Sequence, residues 1–343
     1  MKKVKMIVIM PVLIIALLAI VIAAACVGSA NIPYLTAGKI IASDIPFLKD
    51  LVSLEDVPNK YITIVNNIRF PRIIVSGCVG MALALVGGAY QGILGNPLAD
   101  PNILGVSSGA AAGATIAIVF GTSSGMLGLS FTSICAFIGA LITVALVFFL
   151  SLRKGKTSDI RLLLTGTAMS SALSAFISLV MSLDKDNLER IYLWTLGSFS
   201  ASNWSKVKFI VLFSSICSVV VLLFARELDI IAVGSDTAVT LGVATGKVKS
   251  VIILVSTMLV ASAVSVSGII GFVGLIVPHC VRMLFGASHR RLLPASMVLG
   301  AMFMIFCDSI SRTIIAPSEV PVGVITAVFG APYFIFLLHK SGK

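Results

Sequence analysis

The chain has 343 residues, 58% of them hydrophobic and 11% charged, with a formal net charge of +11 and a mean hydropathy of +1.10. Soluble domains carry about 25% charged residues, so this composition cannot clothe a water-facing surface and excludes a soluble enzyme or binding module. The basic residues stand in short clusters between apolar runs, a pattern that suits cytoplasmic loops and argues against a nucleic-acid partner.

The first thirty residues, "MKKVKMIVIMPVLIIALLAIVIAAACVGSA", have a basic start, an apolar core and small residues before Cys26. A lipoprotein signal has that form, but its core is about 7–15 residues and this run is about 20, enough to span a bilayer. Met6–Val27 is therefore read as an uncleaved first span. Residues 28–70 follow as an external loop that ends in "NNIRFPRIIV". Further apolar runs are Ile73–Leu94, Ile103–Phe120, Gly125–Leu150, Leu162–Leu183, Phe209–Phe224, Val251–Val266, Phe272–Phe285, Leu292–Ile315 and Val320–Leu338. Gly268, Gly271, Gly274 and Pro278 punctuate 251–285, which is too long for one crossing and is split in two. The expectation is an all-α polytopic membrane protein, a single permease domain over 1–343, with about ten transmembrane helices.

Most of the 25 Lys and Arg residues fall inside if both termini are cytoplasmic, which is the orientation that the positive-inside rule selects. Residues 225–250 are then a cytoplasmic loop, and Arg69 and Arg72 face outward against the trend. One reading is that they snorkel to outer headgroups. Asp308 lies within the ninth span with Arg312 four residues later, the acid-before-base order that pairs well on one helix face; burying a lone charge there costs about 2.5–3.5 kcal/mol. "GVSSGAAAG" spaces Gly105, Gly109 and Gly113 four apart, a face suited to close helix packing.

Two stretches are rich in helix breakers between apolar helices: "QGILGNPLADPNILGVSSGA" and "GFVGLIVPHCVRMLFGASHRRLLP". Irregular backbone at membrane depth needs protein or a water-filled cavity around it. The chain carries no phosphate-binding loop: the position five residues before Gly155 of "GKT" is Leu150, and Val248 stands where "GVATGKVKS" would need Ser or Thr. Neither H-E-x-x-H nor G-x-S-x-G occurs, the three histidines are far apart, and the six cysteines lack metal-ligand spacing; the cysteines read as small apolar core residues.

"RFPR", "GGAYQGILGNPLADPNILGVSSGA", "LWTLGS", "LDIIAVGSDTAVTLGV", "GFVGLIVPHCVRMLFGASHRRLLP" and "SEVPVGVITAVFGAPYFIFLL" stand in this order. Together they resemble the FecCD-type permeases, membrane subunits of ABC importers for ferric siderophores, haem and cobalamin. The resemblance covers roughly residues 60–340. It implies a prokaryotic plasma-membrane subunit that pairs with a second permease, identical or related, and works with two cytoplasmic ATPase subunits and an extracytoplasmic substrate-binding protein. No cofactor is expected on this chain; ATP and Mg belong to the ATPase.

The resemblance also assigns roles. Arg69, Arg72 and Arg312 would dock the binding protein by forking its carboxylates. Asp229, Gly234, Asp236, Leu241 and Gly242 would couple to the ATPase. Asn96 and Leu98, with Thr157 and Ser158, would close a cytoplasmic gate. Two other readings stay open from the residues: an ion-coupled secondary transporter with Asp308 as its ion site, and a membrane-embedded enzyme, which the lack of a clustered His, Asp, Ser or Cys constellation disfavours.

Overall fold

The computed structural model describes residues 6–28, 32–43, 53–54, 56–121, 129–152 and 159–341. These residues form helices α1 (Met6–Cys26), α2 (Tyr34–Ser43), α3 (Asn59–Ile93), α4 (Val106–Phe120), α5 (Phe131–Ser151), α6 (Asp159–Leu183) and α7 (Leu188–Thr195). After these come α8 (Trp204–Leu223), α9 (Ala225–Ile231), α10 (Ser235–Thr240), α11 (Thr245–Ser267), α12 (Val273–Phe285), α13 (His289–Ser311) and α14 (Val322–Ser341). Seven helices are long and apolar enough to cross a membrane, and α4, α12 and the apolar part of α14 are shorter apolar helices. The protein is an all-α polytopic membrane protein, and these helices match the ten crossings expected.

α3 is the axis of the bundle. In its apolar stretch 83% of residues are buried, against 11% in α6. Its neighbours are α13, α12, α11 and α8. Small residues on α3 explain how so many helices reach it. A Cβ built on Gly80 would lie 2.2 Å from the Gly300 carbonyl oxygen of α13, and one on Gly87 would lie 2.0 Å from the Gly274 oxygen of α12. Real Cβ atoms do not approach that closely, so both crossings need glycine. A second tight pair joins α4 to α5: a Cβ on Gly113 would sit 2.2 Å from the Cys135 oxygen, and one on Gly109 would sit 2.3 Å from Thr143 Oγ1. Gly105 belongs to the turn that starts α4, at φ +80°, rather than to the helix face.

The segment 28–70, expected as an external loop, is more helical than a loop. α2 buries Ala37 and Ile40, and α3 begins at Asn59, twelve residues before Pro71. Pro71 therefore sits inside a continuous helix and not at its start. A proline there lacks an N–H and crowds the carbonyl four residues back; the turn Val65–Arg69 immediately before it is a π turn, whose wider bonding relieves that crowding. The expected starts at Leu162, Phe209, Val251 and Leu292 fall inside the observed helices, because polar residues such as Lys206 and Lys208 continue the helix beyond its apolar run, whereas the expected starts at Ile103 and Val320 and the expected end at Ile315 lie outside them.

Irregular backbone at 268–272 separates α11 from α12, with Phe272 at φ +69°. Its surroundings are hydrogen-bonded: Ser198 N donates to Ser267 O at 2.7 Å, Val322 N to Gly197 O at 3.0 Å and Gly323 N to Leu196 O at 3.1 Å. The segment 196–198 thus ties α7, α11 and α14 together and satisfies polar backbone groups that an apolar bundle could not.

Gly80→Leu should prevent the α3–α13 approach. The expected result is loss of a monodisperse purified protein, or a fall in thermal midpoint of several degrees in detergent, where Gly38→Ala, in open space, leaves both unchanged.

Candidate functional site

Arg69, Arg72 and Arg312 converge at one end of the bundle, where α1 ends, α3 begins and α13 turns towards α14. All three are buried, at 4%, 5% and 7% exposure. Arg72 Nε donates to Asp308 Oδ1 at 2.9 Å, its Nη2 lies 2.8 Å from the same oxygen, and its Nη1 donates to Glu319 Oε1 at 2.8 Å. Arg312 Nε stands 3.3 Å from Asp308 Oδ2. Asp308 thus meets the expected partner on its own helix and a second, nearer one from α3, which sequence spacing could not announce.

The other guanidinium contacts close off α1. Arg69 Nη1 donates to Ala25 O at 2.5 Å and Cys26 O at 2.9 Å, and Arg312 Nη2 donates to Ala24 O at 3.1 Å. The last carbonyls of a helix lack intrahelical donors and carry the negative end of its dipole. No basic residue stands in the last turn of α1, so two arginines distant in sequence serve it. The headgroup-snorkelling reading therefore fails for Arg69 and Arg72, whose charged ends meet protein. Their freely exposed placement is likewise corrected: in this conformation Glu319, 37% exposed, is the accessible member of the cluster.

At the opposite end, α9 packs on α13 and α3. Asp229 turns inward. Its carboxylate accepts from Ser288 Oγ at 2.8 Å, His289 N at 2.5 Å and His289 Nδ1 at 2.8 Å. It caps the N-terminus of α13 from another helix, placing negative charge against the positive helix end. The surface of the segment is made instead by Val233, Val239 and Leu241, exposed at 76%, 59% and 65%, with Asp236 in the first turn of α10. Gly234 and Gly242 take φ +150° and +84°, turning the chain into and out of α10. Nothing in spacing separated the inward Asp229 from the outward apolar residues.

Asn96 and Leu98 form an exposed turn at the same end, in which Asn96 Oδ1 accepts from Leu98 N at 2.9 Å. Asp100 then caps the short helix Pro101–Leu104 through Asn102 N at 2.7 Å. Thr157 and Ser158 lie outside the described residues. Among the described residues no His, Cys, Asp or Glu group could hold a metal ion.

The comparisons with known proteins agree with this architecture. An ABC transporter permease protein of Bacillus subtilis, YvrB, is 44% identical over 82% of this chain and 81% of its own length. The molybdate import system permease protein of Haemophilus influenzae is 40% identical, covering 81% of each chain. The hemin transport system permease protein of Yersinia pestis is also 40% identical, over 80% of this chain and 83% of its own. A solved inward-facing structure assigned to a metal-chelate type ABC transporter superposes with a TM-score of 0.79 at 34% identity, covering 96% of this chain and 99% of that one. The fold and these relatives define a membrane permease subunit of an ABC transporter. The chain belongs to the FecCD transport family, whose model matches residues 13–340.

Asp308→Asn should leave two guanidiniums buried without their shared carboxylate, a loss of about 3–5 kcal/mol for a broken buried pair. The expected outcome is a strongly lowered thermal midpoint in detergent. Adding Arg312→Gln should recover part of it, since one uncompensated charge is then removed.

Proposed function

We propose that this chain is the membrane path of an ATP-driven importer of a metal chelate, a ferric siderophore in the first instance, with haem and cobalamin as the alternatives. The reading is supported most by the combination of a FecCD permease fold, no nucleotide-binding loop in the sequence, and an exposed apolar face on the segment 225–241. Relatives named for molybdate, cobalamin and hemin are each 40% identical to this chain, so identity alone does not rank their cargoes.

In this mechanism two permeases pair, and ATP closes two ATPase subunits beneath them. Val233, Val239 and Leu241 seat the short helices α9 and α10 on the ATPase by burying apolar surface, with Asp236, Gly234 and Gly242 shaping that contact. Asp229 passes the movement on, because it links α9 to the first turn of α13. The shift reaches Asn96 and Leu98 at the cytoplasmic mouth and changes which side is open. ATP must favour one of the two states by differential affinity for the switch to occur.

Docking of the binding protein is proposed at the arginine cluster. Glu319 shares Arg72 with Asp308 and is the accessible carboxylate, so an incoming carboxylate would exchange with Glu319 while Asp308 keeps the cluster neutralised. Complementary charge then steers encounter and register. An ion-coupled transporter centred on Asp308 is disfavoured because both oxygens of that carboxylate already face guanidinium groups.

Uptake of ferric siderophore into proteoliposomes should require ATP, the cognate ATPase and the binding protein together; transport driven by an ion gradient alone would overturn the reading. Leu241→Asp should reduce ATPase co-purification at least tenfold while preserving thermal stability, and retained association would remove Leu241 from the interface. Glu319→Gln should strengthen capture of the binding protein, measured by surface plasmon resonance, and Arg72→Gln should weaken it.

A further inference from the structure

A cavity of about 500 Å³ opens where the ends of α4, α7 and α11 meet the starts of α5 and α8. Its chemistry is one-sided. Arg190 of α7 and Lys206 of α8 line it, together with hydroxyl side chains from several segments, and no Asp or Glu is among the described lining residues. Lys206 Nζ donates to Val266 O at 3.3 Å, and Arg190 Nη1 donates to Asn187 Oδ1 at 3.2 Å. Among the described residues neither cation has a carboxylate within ion-pair distance, which leaves donors on both uncommitted.

The remaining lining adds further donors. Ser130 caps α5 by accepting from Ser133 N at 3.2 Å, and Ser130, Thr132 and Ser133 line the cavity, so the positive dipole end of this 21-residue helix lies beside it. Ser200 accepts from Ser198 Oγ at 3.0 Å, which frees its own hydroxyl proton. Trp194 contributes an aromatic wall. Two cations from different helices, hydroxyl protons and a helix N-terminus, with no opposing acid among the described lining residues, form a site for a multiply charged oxyanion. The volume falls within the range of about 300–1,000 Å³ found for small-molecule pockets, larger than one inorganic ion needs.

We infer that this cavity binds a polycarboxylate anion between Arg190 and Lys206. Resting on the importer reading, it would be a contact for carboxylate-bearing cargo at the end of the bundle that carries the arginine cluster. The binding itself does not depend on that reading, so the test needs neither ATP nor partner subunits. A lipid headgroup phosphate shares the same chemistry, and the bilayer composition separates the two sources.

The full chain in phosphatidylcholine nanodiscs would be titrated with citrate, following tryptophan fluorescence, since Trp194 lines the cavity and the chain has two tryptophans. Saturable binding is expected. Arg190→Gln and Lys206→Met should each weaken it about tenfold, as loss of one charge-assisted contact does, while Lys206→Arg should retain it. Arg190 is exposed, so its variant keeps the test interpretable if the Lys206 variant folds poorly. Linear, non-saturating titration, or unchanged affinity in Arg190→Gln, would overturn the proposal. Citrate affinity should be little changed in nanodiscs containing phosphatidylglycerol. Displacement by that lipid, dependent on Lys206, would overturn the cargo assignment and identify the occupant as a headgroup. If citrate binds as expected but ATP-driven uptake fails, the importer reading falls and the anion site stands.

Discussion

The close approach of backbones at Gly80 and Gly300 is the constraint on which this bundle depends. Lipid tails are as apolar as leucine, so helices in a bilayer gain little from burying apolar side chains against one another; contact quality and satisfied polar groups decide their association. The absence of side chains at Gly80, Gly87, Gly274 and Gly300 lets α12 and α13 lie directly on α3. α3 thereby becomes a nearly fully buried axis, while α1 and α6 keep apolar faces for lipid or a partner chain.

Once α3 and α13 are held together, their ends near Arg72 and Asp308 have to solve an electrostatic problem. Two buried arginines on these elements and one in the π turn face one buried acid, one half-exposed acid and the unsatisfied carbonyls of α1. Each charge is expensive alone, yet each has a partner contributed from elsewhere in the chain. The cluster therefore joins α1, α3, α13 and the 312–321 turn. It also explains why positive charge was placed on the side that the topology rule disfavours: the arginines answer a helix terminus and a carboxylate, not the membrane potential or the headgroups.

The opposite end uses the same device in reverse. Asp229, from a short helix packed on the bundle, satisfies the amino end of α13. α13 is thus fixed by cations near its C-terminal end and by an anion at its start, matching both poles of its dipole. A helix held in this way at both ends is suited to move as a rigid body, and it connects the segment proposed to meet the ATPase with the cluster proposed to meet the binding protein.

The sequence by itself determined the solvent, the number of crossings and the family. Those depend on composition, run length and contiguous motifs, and each is local along the chain. It also announced the Asp308–Arg312 pair and the Gly109–Gly113 spacing, because one helical turn brings such residues together. The third and fourth members of the charge cluster, Arg72 and Glu319, were legible as charges but not as partners of Asp308. The inward turn of Asp229, the π turn before Pro71 and the cavity between Arg190 and Lys206 were likewise decided by tertiary structure alone. The physical reason is common to all of them: which groups satisfy a helix end or a buried charge depends on helices packed side by side, and sequence separation carries no record of that packing.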